Sequence, residues 1–233
     1  MAQAPPLLAL ALATLLVLPG LWHRAKRAAV IAFVATLALC LGLQAVPALW
    51  PGERVIGDHW NWSGQGLALA GGMWIAHRLA RHAGLSWRAM GFTWRQQPGS
   101  SRAALLVGGA ALSLHLLAMS GSPFRLTAVP LETWLYQATL PGLVEEALFR
   151  GVLLALLDRA FAARRVVLGV PIGWGGVVVT LVFVALHGTG AGALLGVLPA
   201  ALLYLWLRIR TGSLVLPVVV HNLWNLAVYA AHL

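Results

Sequence analysis

Eight apolar runs separated by short basic segments limit this chain to one kind of fold. A helix needs about 20 apolar residues to cross the hydrocarbon core, within a working range of about 17–25. By that ruler the candidate spans are residues 5–22, 29–50, 63–79, 103–120, 133–157, 174–187, 191–207 and 214–231. The sixth is short, and the Gly and Pro residues around 170–176 predict an interfacial or broken start. Only 9% of residues are charged, against about 25% in a soluble domain. The expected class is therefore an all-α integral membrane protein, a single domain of about eight transmembrane helices. Within it, residues 1–132 supply helices one to four with their basic loops, and residues 133–233 supply helices five to eight.

The formal charge of +10 would suggest nucleic acid in a soluble chain. Here the basic residues fall between spans, where they set topology instead. Arg24, Lys26, Arg27, Arg78, Arg81, Arg88, Arg95, Arg102, Arg159, Arg164, Arg165, Arg208 and Arg210 all fall on one side, and only Arg54 and Arg125 on the other. The positive-inside rule then places both termini outside the cytoplasm, and no nucleic-acid partner is expected. The N-terminal run lacks the basic residues that precede the apolar core of a cleavable signal peptide. Residues 81–102 interleave Trp87, Phe92 and Trp94 with arginines, as suits a segment on the lipid surface. Trp22, Trp50, Trp60, Trp62 and Trp174 stand near span ends, where an aromatic belt is expected. Cys40, the single cysteine, is read as a buried apolar-face residue. Preference for Arg over Lys and heavy use of Ala, Leu and Gly suggest a GC-rich bacterial source, hence an inner (cytoplasmic) membrane location.

Residues 140–154, LPGLVEEALFRGVLL, place Glu145, Glu146 and Arg150 inside the fifth span. A charged side chain at the bilayer centre costs roughly 2.5–3.5 kcal/mol on insertion scales, so three within six residues point to function. Glu146 and Arg150 stand four apart with the acid toward the N-terminus, the better orientation for a helical ion pair. They are expected to form a structural pair that holds the helix in register. Glu145 is turned about 100° away and has no partner in its own helix, which leaves it as a general base or acid. The plainer reading is that both acids pair with arginines and fix helix packing.

Two later spans carry polar groups at a comparable depth. His187 closes FVALH, and His221 and Asn225 lie four apart in LVLPVVVHNLWNL. At about 1.5 Å per residue, Glu145, His187 and Asn225 each lie roughly 18–20 Å from an end of their span. All fall near mid-bilayer, where they can share one polar cavity. His115, isolated in the fourth span, and Asn222, on another face from His221, are read as packing residues. Two mechanisms fit this set. In one, Glu145 and His187 activate a water while His221 and Asn225 donate to the oxyanion. In the other, Glu145, His187 and His221 bind zinc, which activates the water. H-E-x-x-H is absent and no local spacing supports a metal site, so the metal-free version is preferred.

EEALFR at residues 145–150, FVALH at 183–187 and HNLWN at 221–225 resemble the E-E-x-x-x-R, F-x-x-x-H and H-x-x-x-N motifs of a known family. This is the CAAX-protease and bacteriocin-processing (Abi) group of intramembrane proteases. RTGSLVLP, before the third motif, is also similar to members, and the resemblance covers the chain from Thr133 onward. It implies an eight-helix membrane enzyme with a membrane-enclosed cavity and a glutamate-type mechanism without a cofactor. In that mechanism Glu145 works with His187, His221 and Asn225 form the oxyanion site, and Glu146 and Arg150 are structural. It implies a membrane-associated peptide or protein substrate, with a prenylated or sorting tail at its C-terminus. A bacterial source favours peptide maturation or removal of a sorting segment. The other classes weighed are a non-catalytic scaffold or bacteriocin-immunity protein and a proton-coupled transporter. The transporter predicts broken helices in paired halves, and the sequence has no internal symmetry.

Overall fold

In the computed structural model, residues 4–49, 60–121, 126 and 128–232 are described. Arg54, Arg125 and Trp50, invoked above for topology and the aromatic belt, lie outside them. The described chain is almost entirely helical. Helix α1, Ala4–Val17, runs into a 3₁₀ turn, Leu18–Trp22, and is followed by α2, Arg24–Ala45, and α3, Trp62–His82. Helix α4 is Ser101–Ser120. Helix α5 spans residues 131–160, with a π-helical stretch, Ala147–Leu153, in its middle. Helix α6 is Trp174–His187, α7 is Ala193–Thr211 and α8 is Val215–Ala230.

Pro5–Trp22, Arg24–Leu49, Ser101–Ser120 and Ala193–Thr211 are each long and apolar enough to cross a membrane. Helices α6 and α8 are apolar but shorter. Helices α3 and α5 have the length, but carry interior polar residues such as Gln65, Glu145, Glu146 and Arg150 that lower their hydropathy. Leucines on α4 face outward, Leu106, Leu114 and Leu117 among them, and in water that face would be costly. These features make the chain an integral membrane protein.

Helix α5 is the centre of the bundle, touching α2, α3, α6, α7 and α8. One core runs through both halves of the sequence, joining Phe33 and Leu37 of α2 to Leu153 and Leu157 of α5, Val178 and Val182 of α6, and Leu205 of α7. Lipid is as apolar as leucine, so close packing rather than hydrophobic transfer holds such helices together. Small residues permit it: a Cβ at Gly175 would stand 2.9 Å from the Leu157 Cβ.

The broken start expected for the sixth span is a β-hairpin. Strands β1, Arg164–Val167, and β2, Val170–Gly173, pair antiparallel, with Val167 opposite Val170. The connecting Leu168 and Gly169 both have positive φ, 49° and 74°, as a type I′ turn requires. Leucine is a rare choice there, which hid the hairpin from a reading by turn residues.

Residues 83–100, expected above at the lipid surface, also pack on the bundle. Met90 is fully buried while Trp94 is exposed, and the Gly91 carbonyl accepts from the Leu214 N–H. Arg208, counted above as a topology charge, is buried beneath this segment. Its Nε donates to the Arg150 carbonyl (3.1 Å) and its Nη2 to the Ala89 carbonyl (2.7 Å). Trp60 and Trp62, expected above in the aromatic belt, also tie α3 to α5. Both indoles donate to residues at the start of α5: Trp60 to Thr133 at 3.0 Å and Trp62 to Glu132 at 3.1 Å. Trp60 also stacks on Tyr136.

Candidate active site

The π-helical stretch begins one residue after Glu146. Such insertions are frequent at functional sites, and this one carries the Arg150 side chain into the protein interior. Arg150 and Glu146 are both fully buried. Arg150 Nη1 meets Glu146 Oε1 at 3.0 Å, and Nη2 donates to the Ala201 carbonyl of α7 at 3.1 Å. The guanidinium lies 4.2 Å from the Phe183 ring centroid and 5.6 Å from that of Tyr204, so aromatic faces replace part of its lost hydration.

Glu146 has a second partner. His221 Nδ1 donates to Glu146 Oε1 at 2.9 Å, and the imidazole stacks on Tyr204 with centroids 4.6 Å apart. The ion pair thus orients a histidine, since a carboxylate on Nδ1 fixes the tautomer and the ring. In the neutral ring Nε2 is then an acceptor; in the imidazolium it is a donor.

His187 ends α6, just before Gly188. Its Nδ1 lies 2.8 Å from the Phe183 carbonyl oxygen. A carbonyl only accepts, so Nδ1 carries the proton and the neutral ring presents Nε2 as an acceptor. The two Nε2 atoms converge: Glu145 Oε2 is 3.9 Å from that of His187 and 3.9 Å from that of His221. This oxygen is buried and has no hydrogen-bond partner among the described residues. Glu145 and His187 line a cavity of about 400 Å³, walled also by Phe149, Cys40, Asn61 and Gln65, a size that suits a small ligand. Cys40 is buried, as expected.

The structure therefore brings Glu145, His187 and His221 together, with Glu146 and Arg150 behind them. Asn225 lies one turn beyond His221 on α8, half-buried; neither residue belongs to the wall of this cavity. His115 stays apart, stacked on Trp224 at 3.9 Å. Among the described residues no group of three His, Cys, Asp or Glu is placed to hold a metal. Tetrahedral zinc with bonds of about 2.0–2.1 Å needs its ligand atoms about 3.3 Å apart, less than the two 3.9 Å separations.

Asn222 does more than pack. Pro141 sits inside α5 and has no N–H of its own. Asn222 Oδ1 accepts from the Gly142 N–H at 2.8 Å, and Nδ2 donates to the Thr139 carbonyl at 3.2 Å. It clamps α8 to α5 beside this proline, three residues before Glu145. A Cβ on Gly142 would stand 2.4 Å from Asn222 Oδ1, so a glycine is required for the approach. Asn222→Leu leaves the Gly142 N–H buried and unpaired, and is expected to cost about 1–3 kcal/mol. Thermal melting in detergent measures it, and an unchanged midpoint would contradict the clamp. Sequence reasoning missed this clamp because a single asparagine on the far face of a helix carries no sign of its partner. Tyr204, which encloses Arg150 together with the motif residue Phe183, was equally silent.

Residues 127–227 match a protein-family model described as "Rce1-like: Type II CAAX prenyl endopeptidase Rce1-like". No curated protein and no solved structure matches the chain. The matched segment holds all three sequence motifs and every charged or imidazole group of the cluster. Over these residues, somewhat less than half of the chain, the protein is similar to the type II CAAX prenyl endopeptidases.

Proposed function

We propose that this protein is a glutamate-dependent intramembrane endopeptidase that cuts a membrane-associated peptide near its C-terminal or membrane-anchored end. The observation that carries the reading is the unpartnered Glu145 Oε2, 3.9 Å from two imidazole Nε2 atoms in a cavity. A water at ordinary hydrogen-bond distance, about 2.8 Å, from both Glu145 and His187 fits between them. Glu145 takes a proton from this water as its oxygen attacks the peptide carbonyl, with His187 Nε2 holding the nucleophile in line. The resulting oxyanion is met by His221 in its protonated form, whose Nδ1–H stays on Glu146 and whose Nε2 lies 3.9 Å from Glu145. The Asn225 amide meets it too, a role carried over from the family resemblance. The C–N bond then breaks, and the proton held by Glu145 passes to the leaving nitrogen. Eight membrane crossings with both termini outside the cytoplasm of a bacterial inner membrane complete the reading. They rest on the basic residues of one side, twelve of them apart from the buried Arg208.

The family description is of a CAAX prenyl endopeptidase. For a bacterial chain the favoured substrate is instead a maturing peptide or a C-terminal sorting tail. The test compares membrane-fraction C-termini, mapped by mass spectrometry, in cells carrying wild type or Glu145→Gln. A precursor that persists only with the variant supports the protease; identical C-termini at equal protein levels favour a scaffold.

A zinc reading has one observation in its favour. Both histidines bind an acceptor through Nδ1 and turn Nε2 inward, as second-shell partners arrange zinc ligands. Bound zinc would polarise the water in place of Glu145 acting alone. The glutamate mechanism predicts that purified protein carries far less than one zinc per chain, and that cleavage survives chelation. Elemental analysis showing one zinc per chain, lost together with activity, would reverse the preference.

A further inference from the structure

Gln65 has no place in the mechanism above, yet it occupies the same cavity. It lies on α3, in the half of the chain outside the family match, among small residues: WSGQGLALAGG. It is only 5% exposed, lines the cavity with Glu145 and His187, and its Oε1 is buried without a partner among the described residues. Tyr136 of α5 lies beside the amide. Leaving a buried amide oxygen unpaired costs about 1–3 kcal/mol, whereas a leucine would fill the position at no such cost.

The chemistry of the wall indicates what this oxygen awaits. A peptide inside a membrane-enclosed cavity must find an acceptor for each backbone N–H. Glu145 and His187 are committed to the water. The Asn61 carbonyl oxygen already accepts from the Gly64 N–H at 3.0 Å, and its amide nitrogen donates to the Gln44 carbonyl at 2.9 Å. Cys40 Sγ faces the Ala68 carbonyl at 3.8 Å. The Gln44 amide also lines the cavity but is only half-buried, so apart from Glu145, Gln65 Oε1 is the fully enclosed side-chain acceptor of this wall left without a donor among the described residues.

We infer that Gln65 binds substrate: its side-chain carbonyl accepts a hydrogen bond from a backbone N–H beside the scissile bond, setting the register of the peptide against Glu145. The inference rests on the protease reading. The probe is a quenched fluorescent peptide covering the cleavage site of a precursor that accumulates in Glu145→Gln cells, with a series of analogues N-methylated at one amide each. Wild type in liposomes should lose about tenfold in kcat/KM, the scale of one hydrogen bond, when one particular amide near the cut is methylated. Gln65→Leu should lose about tenfold on the parent peptide and be indifferent to that same methyl group. Gln65→Glu, which keeps an acceptor oxygen, should retain the discrimination. Gln65→Met is read in the same way if the leucine variant does not fold. A Gln65 variant that cleaves like wild type, or that still feels every N-methyl group in full, overturns the inference and leaves the protease reading intact. If Glu145→Gln accumulates no precursor, the protease reading falls, and the Gln65 inference falls with it.

Discussion

Glu145→Gln is expected to reduce peptide cleavage by about 10²–10⁴-fold, the range for removing a general base, with little change in thermal stability. The substitution keeps the size of the side chain and removes only its ability to take a proton. Glu145 Oε2 has no hydrogen-bond partner among the described residues, so the fold loses no internal bond. The amide nitrogen can even donate to His187 Nε2, which already faces it. Cleavage rate and melting temperature measured on one preparation separate the two properties. A variant that melts early and is inactive would show that Glu145 is structural. One that folds and cleaves normally would show that it is neither structural nor catalytic.

The neighbouring acid should behave in the opposite way. Arg150→Ala leaves the Glu146 carboxylate buried beside His221, and also removes the hydrogen bond to the Ala201 carbonyl that ties α5 to α7. Breaking a buried ion pair by removing one partner typically costs about 3–5 kcal/mol, a large part of the stability of most domains. Low yield, aggregation and a strongly lowered melting point are expected. Glu146→Gln should destabilise for the same reason and also release the Nδ1 side of His221, so its surviving folded fraction should be less active. The double variant Glu146→Leu, Arg150→Met removes both charges and should melt above either single change, because a pair replaced by apolar residues leaves no buried charge. Equal melting of wild type and Arg150→Ala would contradict the structural role.

The bundle was legible because lipid imposes a length ruler that composition alone reveals. The helical segments follow the apolar runs closely, and α6 starts at Trp174 and ends at His187 as the sequence suggests. The 145–150 stretch was legible for the same physical reason: three charges in an apolar run need partners, and i to i+4 spacing names one of them. What stayed hidden was long-range. The link from Glu146 to His221 joins residues 75 positions apart, and no local periodicity reports such a contact. Arg208 was read as a topology charge because its position just past an apolar run looks like any cytoplasmic arginine. Only the folded chain shows it buried against the Arg150 carbonyl. The bonds of the Trp60 and Trp62 indoles to Thr133 and Glu132 were hidden for the same reason as the Glu146 link, since those partners lie about seventy residues away. Gln65 was lost within a window dominated by glycine and alanine, where one polar residue barely lowers the mean hydropathy.

The most direct measurement is cleavage of a single synthetic precursor peptide by purified protein in liposomes, with wild type and Glu145→Gln side by side after metal chelation. Mass spectrometry identifies both fragments. Wild type should produce two fragments whose masses add to the peptide plus one water, and Glu145→Gln should leave the peptide whole. Cleavage at equal rates by both proteins, or by wild type only after zinc is restored, would contradict a water activated by Glu145 and His187.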